Sequence, residues 1–123
     1  MAQKNHVISK EKIMFQIFGT KKCKETQKAI RFFKERRIPF QFVDLAVKGL
    51  SYGELKNVLQ FYNIDDIIDE ESREYKINHF KDIIHDKEDI ILEHPLILKT
   101  PIIRINKKVK LGFKEDDILS WGL

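Results

Sequence analysis

An apolar run, Ile13-Met14-Phe15-Gln16-Ile17-Phe18, passes directly into Gly19-Thr20-Lys21-Lys22-Cys23, and an amphipathic run without Gly or Pro leaves it from Lys24 to Arg37. This reads as a buried strand, a tight turn and a helix whose inner side carries Ala29, Ile30, Phe33 and Phe32. Ile38-Pro39 stops the helix, because the residue before a proline avoids the helical region. Phe40-Gln41-Phe42-Val43-Asp44 then reads as a second short strand. Strand, helix and strand within about 30 residues make a βαβ unit. Its two strands are therefore expected to be parallel and its crossover right-handed.

The one cysteine of the chain, Cys23, falls where the strand turns into the helix. A helix N-terminus carries partial positive charge and unpaired N–H groups, which favour an anion. A thiolate placed there has a lowered pKa, and the thiolate is the reactive species. Lys21, Lys22 and Lys24 add positive charge in the same turn, and Thr26, about one helical turn on, can donate its hydroxyl to the sulfur. A free cysteine often packs as a small buried hydrophobe instead. Three flanking lysines argue against burial here.

Beyond Asp44, Gly49-Leu50 marks a break, and Ser51 with Glu54 forms a capping box that opens a helix burying Leu55, Val58, Leu59 and Tyr62, with Asn63 at its end. From Ile64 the pattern stays helical in short pieces: Ile64–Ile68, Arg73–Asn78, Phe80–Ile84 and Lys87–Glu93, the last with Asp86 as N-cap and Asp89 as its capping-box partner. His94-Pro95 closes this helical insertion, which spans about residues 51–93. Leu96 to Ile105, the connection Asn106-Lys107-Lys108 and Val109 to Phe113 then read as two strands that so short a turn makes antiparallel. A last helix runs from Lys114 to Trp121. The order βαβ, helices, ββα predicts an α/β fold: a four-stranded mixed sheet of thioredoxin-like arrangement with an all-helical insertion between its halves. Residues 1–12 read as a polar N-terminal arm, and residues 13–123 as a single domain. Pro101, at the start of a central-looking strand, cannot donate to the ladder, and a cis Thr100-Pro101 peptide beside the sulfur accounts for it.

Composition narrows the function classes. Hydrophobic residues make up 42% of the 123, ordinary for a globular domain and too many for disorder. No apolar run approaches the ~20 residues needed to cross a bilayer, and Met1 to His6 lead into no apolar signal segment. A single cysteine excludes an internal disulfide and a cysteine-rich zinc site. His79 and His85, six apart, share no helical face well, and the acids Asp65-Asp66 and Asp69-Glu70-Glu71 read as a solvated surface, so no metal site is expected. His94 reads as a residue that caps or packs. The net charge of +4 is spread along the chain among acids, without an arginine-rich block, so direct nucleic-acid binding is not expected. Together these features point to the cytoplasm.

Three stretches carry a resemblance. Phe15 to Ala29 is similar to the nucleophile loop and first helix of the arsenate reductase (ArsC) and Spx family, which has the thioredoxin fold. His94-Pro95-Leu96-Ile97-Leu98-Lys99-Thr100-Pro101-Ile102-Ile103 is similar to its HPxLxxRPI signature, and Val109 to Asp116 to its vGfxxe ending. The chain resembles the family's single-cysteine, ArsC-like members more than its C-x-x-C Spx members. The resemblance implies that Cys23 is a nucleophile supported by Lys22 and Thr26, and that Pro101 is a cis-proline shaping the groove beside it. It implies no bound cofactor. It implies glutathione as thiol co-substrate, with glutaredoxin recycling the mixed disulfide.

The departures bear on the substrate. The arginines that hold an oxyanion in glutaredoxin-dependent arsenate reductases fall on Thr100, on Asp69 (six before Tyr75) and nearest Lys110. Lys99 and Lys110 remain as anion-binding candidates beside Thr100, and arsenate itself loses support as the substrate. By strand alternation, Arg104 lies on the face opposite Pro101. The alternative is an Spx-like transcriptional regulator or protein-binding module on the same fold, with the C-terminal domain of the RNA polymerase α-subunit as partner. Thr26 stands where Spx has its second cysteine, Phe61 to Ile68 contains no glycine, and Glu71-Ser72 replaces Arg-Ser.

Overall fold

The computed structural model describes residues 14–82 and 86–121. The polar arm expected over 1–12, Ile13 at the head of the first apolar run, Ile83 and Ile84 at the end of the expected piece Phe80–Ile84, His85 and the last two residues lie outside the described residues. Four strands, β1 (Phe15–Gly19), β2 (Phe40–Asp44), β3 (Ile102–Ile105) and β4 (Lys108–Leu111), form one sheet in the order β2-β1-β3-β4. β1 pairs in parallel with β2, and β3 runs antiparallel to both β1 and β4. The expected mixed α/β sheet, βαβ followed by ββα, is the sheet observed.

Alternation along the two central strands creates two cores. Phe15 and Ile17 of β1 and Ile103 of β3 face α1 (Lys24–Glu35), packing with Ala29, Phe32 and Phe33 and with Ile118 of α6 (Glu115–Leu119). Phe18 and Ile102 face the other way, into the helical insertion, where Leu55, Val58, Ile67, Ile91, Ile97 and Leu98 enclose them. Phe15, Ile17, Phe18, Ile102 and Ile103 are each at most 1% exposed. Burial of such side chains stabilises by roughly 1.5–3 kcal/mol each, so this central pair anchors both layers.

α1 forms because Thr26, Ala29 and Phe33 recur at helical spacing and bury one stripe, while Lys24, Gln27, Lys28, Arg31, Lys34 and Glu35 stay in water. Phe32 joins the buried stripe and Ile30 is half-buried against it. The helix ends at Glu35, two residues before the limit of the amphipathic run. The N–H of Ile38 returns to Phe33 O at 2.9 Å and that of Arg37 to Lys34 O at 3.1 Å, a Schellman closure. Arg37 takes the left-handed conformation this closure needs, at φ 57°. Pro39 keeps Ile38 out of the helical region but stands four residues beyond Glu35, where the helix stops.

The insertion comprises α2 (Tyr52–Leu59), α3 (Ile64–Ile67), α4 (Arg73–Ile77), a 3-10 turn (Phe80–Asp82) and α5 (Lys87–Glu93). The capping box is complete: Glu54 N–H donates to Ser51 Oγ at 3.1 Å and Ser51 N–H to Glu54 Oε1 at 2.8 Å. Leu55 and Val58 are buried and Leu59 and Tyr62 pack half-buried beside them. Asn63 does not end α2. The helix stops at Leu59, and Asn63 is the N-cap of α3. Asp86 caps α5 by accepting from Glu88 N–H at 2.9 Å, whereas Asp89, expected as its capping-box partner, is not the residue engaged. Leu96 and Ile97, expected as early strand, instead belong to a 3-10 turn (Pro95–Ile97), because Pro95 opens a turn closed by Leu98 N–H on Pro95 O. Among the described residues no helix is long and apolar enough to cross a membrane.

One close approach sets the distance between sheet and helix. A Cβ built on Gly19 would lie 2.4 Å from Thr26 Oγ1 and 2.7 Å from Thr26 Cγ2. Gly19→Ala forces α1 off the end of β1, and we expect a loss of about 1–3 kcal/mol, the usual cost of overpacking. Urea unfolding reads it as a lower midpoint at unchanged slope.

Candidate thiol site at the end of the first strand

Cys23 is the N-cap of α1, with φ −77° and ψ 119°, at the close of a turn in which its N–H reaches Thr20 O at 3.3 Å. The turn is tied to the helix from the side, because Gln27 Nε2 donates to Lys21 O. The neighbouring strand supplies the other wall. Phe18 pairs with Ile102 in antiparallel register, which carries Pro101 and Thr100 on past the end of β1 to the sulfur. The Thr100–Pro101 peptide is cis. Thr100 O receives the thiol at 3.6 Å, and Pro101 O accepts from Gly112 N–H at 2.7 Å.

The insertion completes the site. An isolated antiparallel bridge joins Ile68 to Leu98, with Asp69 N–H on Ile97 O at 2.7 Å and Lys99 N–H on Ile67 O at 2.8 Å. This pairing brings Asp69 next to the segment that leads to Pro101. An open groove results, lined by Cys23, Glu25, Asp69, Lys99 and Thr100 and, at the end of β4, by Leu111 and Gly112.

Cys23 is partly exposed. Burial pushes its thiol pKa up, and hydrogen bonding to the thiolate outweighs that: the hydroxyls of Thr100 and Thr26 and the N–H groups of Thr26 and Glu25 leave the net value lowered. The Thr26 and Glu25 donors are those of a helix N-terminus, and the Thr100 hydroxyl is added by the segment before β3. Thr26 Oγ1 is the buried side-chain oxygen that finds no hydrogen-bond partner among the described residues while the sulfur is a thiol. The two facts agree chemically: a thiol gives its proton to Thr100 O and is a poor acceptor, whereas a thiolate accepts the Thr26 hydroxyl.

The residues singled out from the sequence separate in space. Cys23, Thr26, Thr100 and Pro101 come together, and Lys99 lines the same groove. Lys22 is exposed in the turn, and the groups that lower the thiol pKa are hydrogen-bond donors, with Lys22 not among them. Lys110 does not line the groove. Its ammonium sits 3.9 Å from Asp117 Oδ1, and its neighbour Leu111 takes the place at the groove. Arg104 is turned away, donating to Gln16 Oε1 at 3.0 Å and Asn57 Oδ1 at 3.3 Å. His94 pairs with Glu74 at 2.9 Å and stands edge-on to Phe80, a packing role. Glu25 is a groove residue that the sequence did not single out. Its place two residues after Cys23, in the first turn of α1, was the available signal.

A family model described as the ArsC family matches residues 18–121. The chain is 31% identical over 107 residues to the global transcriptional regulator Spx 2 of Oceanobacillus iheyensis, covering 83% of this chain and 78% of that protein. It is 31% identical over 110 residues to the global transcriptional regulator Spx of Staphylococcus aureus, covering 85% and 84%. Among solved structures, the arsenate reductase from Vibrio cholerae superposes with a TM-score of 0.73 over 88% of this chain and 97% of that one, at 18% identity, a likeness of fold.

Thr26→Val removes a hydroxyl that has no partner beside a neutral thiol. We expect stability unchanged or raised by up to about 1 kcal/mol, because an unsatisfied buried group is relieved. The thiol pKa moves up at the same time, read as a rightward shift of the iodoacetamide alkylation profile against pH. In the wild type the folded value lies below the unfolded one, so ionisation stabilises the native state above the unfolded pKa. That contribution is lost as pH falls through the folded value.

Proposed function

The chain belongs to the ArsC/Spx family, and from that membership we propose that it is a thiol-dependent oxidoreductase with Cys23 as nucleophile and glutathione and glutaredoxin as coupling partners. The observation that carries the reading is Thr26 Oγ1, a fully buried hydroxyl without a hydrogen-bond partner among the described residues, which the Cys23 sulfur would satisfy as a thiolate.

In the proposed reaction the Cys23 thiolate attacks one sulfur of a disulfide. The old S–S bond breaks, a mixed disulfide to Cys23 forms, and the other sulfur leaves as a thiolate that takes a proton from water. The chain has one cysteine, so an outside thiol must resolve the mixed disulfide, and glutathione is the proposed one. Its attack releases Cys23 as thiolate, and glutaredoxin returns the glutathione disulfide formed with the substrate half to the reduced pool. Thr100 and Thr26 hold the thiolate in both the attacking and the leaving state.

Charge argues against arsenate as the substrate. Reduction of a tetrahedral oxyanion calls for cationic clamps, and arginine serves best because its fork binds two oxygens at once. Of the charged side chains lining this groove, Glu25 and Asp69 are acids and Lys99 is the one base. Asp69 occupies the position at which the resemblance puts an arginine.

A second reading, a regulatory or protein-binding role in the manner of Spx, is favoured by the 31% identity to proteins named as Spx regulators. It predicts binding to the C-terminal domain of the RNA polymerase α-subunit that survives Cys23→Ser.

The deciding assay is reduction of 2-hydroxyethyl disulfide by glutathione, coupled to glutathione reductase. We expect turnover by the wild type, the background rate for Cys23→Ser, and no arsenate-dependent turnover by either. Full activity in Cys23→Ser would overturn the nucleophile, and efficient arsenate reduction by the wild type would overturn the charge argument.

A further inference from the structure

We propose that the groove beside Cys23 selects disulfides that carry a positive charge next to the reacting sulfur, such as a protein disulfide flanked by lysine or arginine, and that the carboxylates of Asp69 and Glu25 make the selection. The inference rests on the reading of Cys23 as an exchange nucleophile and names the substrate class for it.

Both carboxylates are fixed by backbone donors. Asp69 Oδ1 accepts from Glu71 N–H at 3.0 Å, and Glu25 Oε2 accepts from Phe113 N–H at 3.3 Å. The second oxygen of each has no hydrogen-bond or ion-pair partner among the described residues. Cations nearby in the fold are engaged elsewhere: Lys76 pairs with Glu71 and Lys110 with Asp117. Lys99 alone opposes the two acids in the groove, and Lys21, Lys22 and Lys24 are exposed residues that do not line it. The acids come from two separate elements that line the groove, Glu25 from the first turn of α1 and Asp69 from the residue after the Ile68–Leu98 bridge, so a group entering beside the sulfur meets negative charge contributed by both. The buried, unpartnered Thr26 hydroxyl marks the same place as one prepared for a charged sulfur.

A disulfide whose leaving half carries an ammonium or guanidinium benefits twice. The cation is attracted into the groove, and it stabilises the thiolate that leaves as the S–S bond breaks. The electrons balance within the exchange: Cys23 sulfur is oxidised to the mixed disulfide and the leaving sulfur is reduced, its proton coming from solvent.

The test compares three small disulfides as single-turnover reagents for Cys23 at one pH: cystamine (cationic), 2-hydroxyethyl disulfide (neutral) and 3,3′-dithiodipropionate (anionic). Iodoacetamide, which is neutral, corrects each variant for its thiolate fraction. Each rate is divided by that of the free neutral thiol 2-mercaptoethanol with the same reagent, which removes the difference in leaving-group acidity; on that scale we expect cystamine to be favoured about tenfold over dithiodipropionate at low salt, with the ratio falling to about twofold near 1 M salt. Asp69→Asn with Glu25→Gln keeps both backbone acceptors and should bring the ratio close to one while the neutral disulfide still reacts. Equal rates for all three reagents on that scale with a reactive wild-type thiol, or preference for the anion, would overturn the charge selection and leave the nucleophile intact. A neutral disulfide reacting no faster than with a free cysteine would instead overturn the nucleophile reading itself.

Discussion

The contact between Gly19 and Thr26 is the constraint on which the site depends. β1 ends, turns and re-enters as α1 within a few residues, and helix and strand must lie close enough for the turn to close. The absence of a Cβ on Gly19 allows Thr26 to pack directly on the end of the strand. That packing buries the Thr26 hydroxyl completely and aligns the first turn of α1 with the sulfur, so that N–H groups of Glu25 and Thr26 act on it. Strand packing, helix position and thiol acidity are thus one arrangement. It carries a small standing cost, because a buried hydroxyl without an acceptor is unfavourable until the sulfur ionises.

The second wall of the site is borrowed from the insertion. Most of that segment is helical and packs as a layer on Phe18 and Ile102. Its one piece of strand pairing among the described residues, Ile68 with Leu98, is what attaches it to the segment before Pro101. Two backbone hydrogen bonds there fix Asp69 with a precision that side-chain packing alone would not give. The charge of the groove is therefore set by a residue distant in sequence from both Cys23 and Pro101. An insertion read as all-helical hides this, since a single bridge leaves almost no periodic signal.

Much of the architecture was legible because it rests on local patterns. The apolar runs over Phe15–Phe18 and Phe40–Asp44, the Ser51–Glu54 box and the short turn at Asn106–Lys107 each specify their own element and, through connection length, the direction of its neighbour. Boundaries were less legible where two local signals compete. α1 stops at a left-handed Arg37, a position that ordinarily calls for glycine, because the preference of Ile38 before Pro39 and the closure onto Phe33 outweigh the conformational penalty. Asn63 serves equally well in sequence as an end or a start, and the packing of Ile64 and Ile67 makes it a start.

For the site, the sequence by itself determined the nucleophile: a single cysteine between a strand and a helix has the helix N-terminus as its electrostatic environment whatever surrounds it. Lysines crowd the same stretch of chain, and they suggest a cationic pocket. Only the tertiary structure decided that the groove is framed by Asp69 and Glu25, that Lys110 turns to Asp117, and that Lys22 stays in water. The reason is physical. The helix-end part of the thiol's acidity comes from the hydroxyl and N–H groups of adjacent residues, Thr26 and Glu25, and the Thr100 hydroxyl that adds to it is brought in by a distant segment. The charge facing the sulfur comes from side chains that distant segments bring in, and their direction is fixed by strand register and by a bridge that no neighbouring residue encodes.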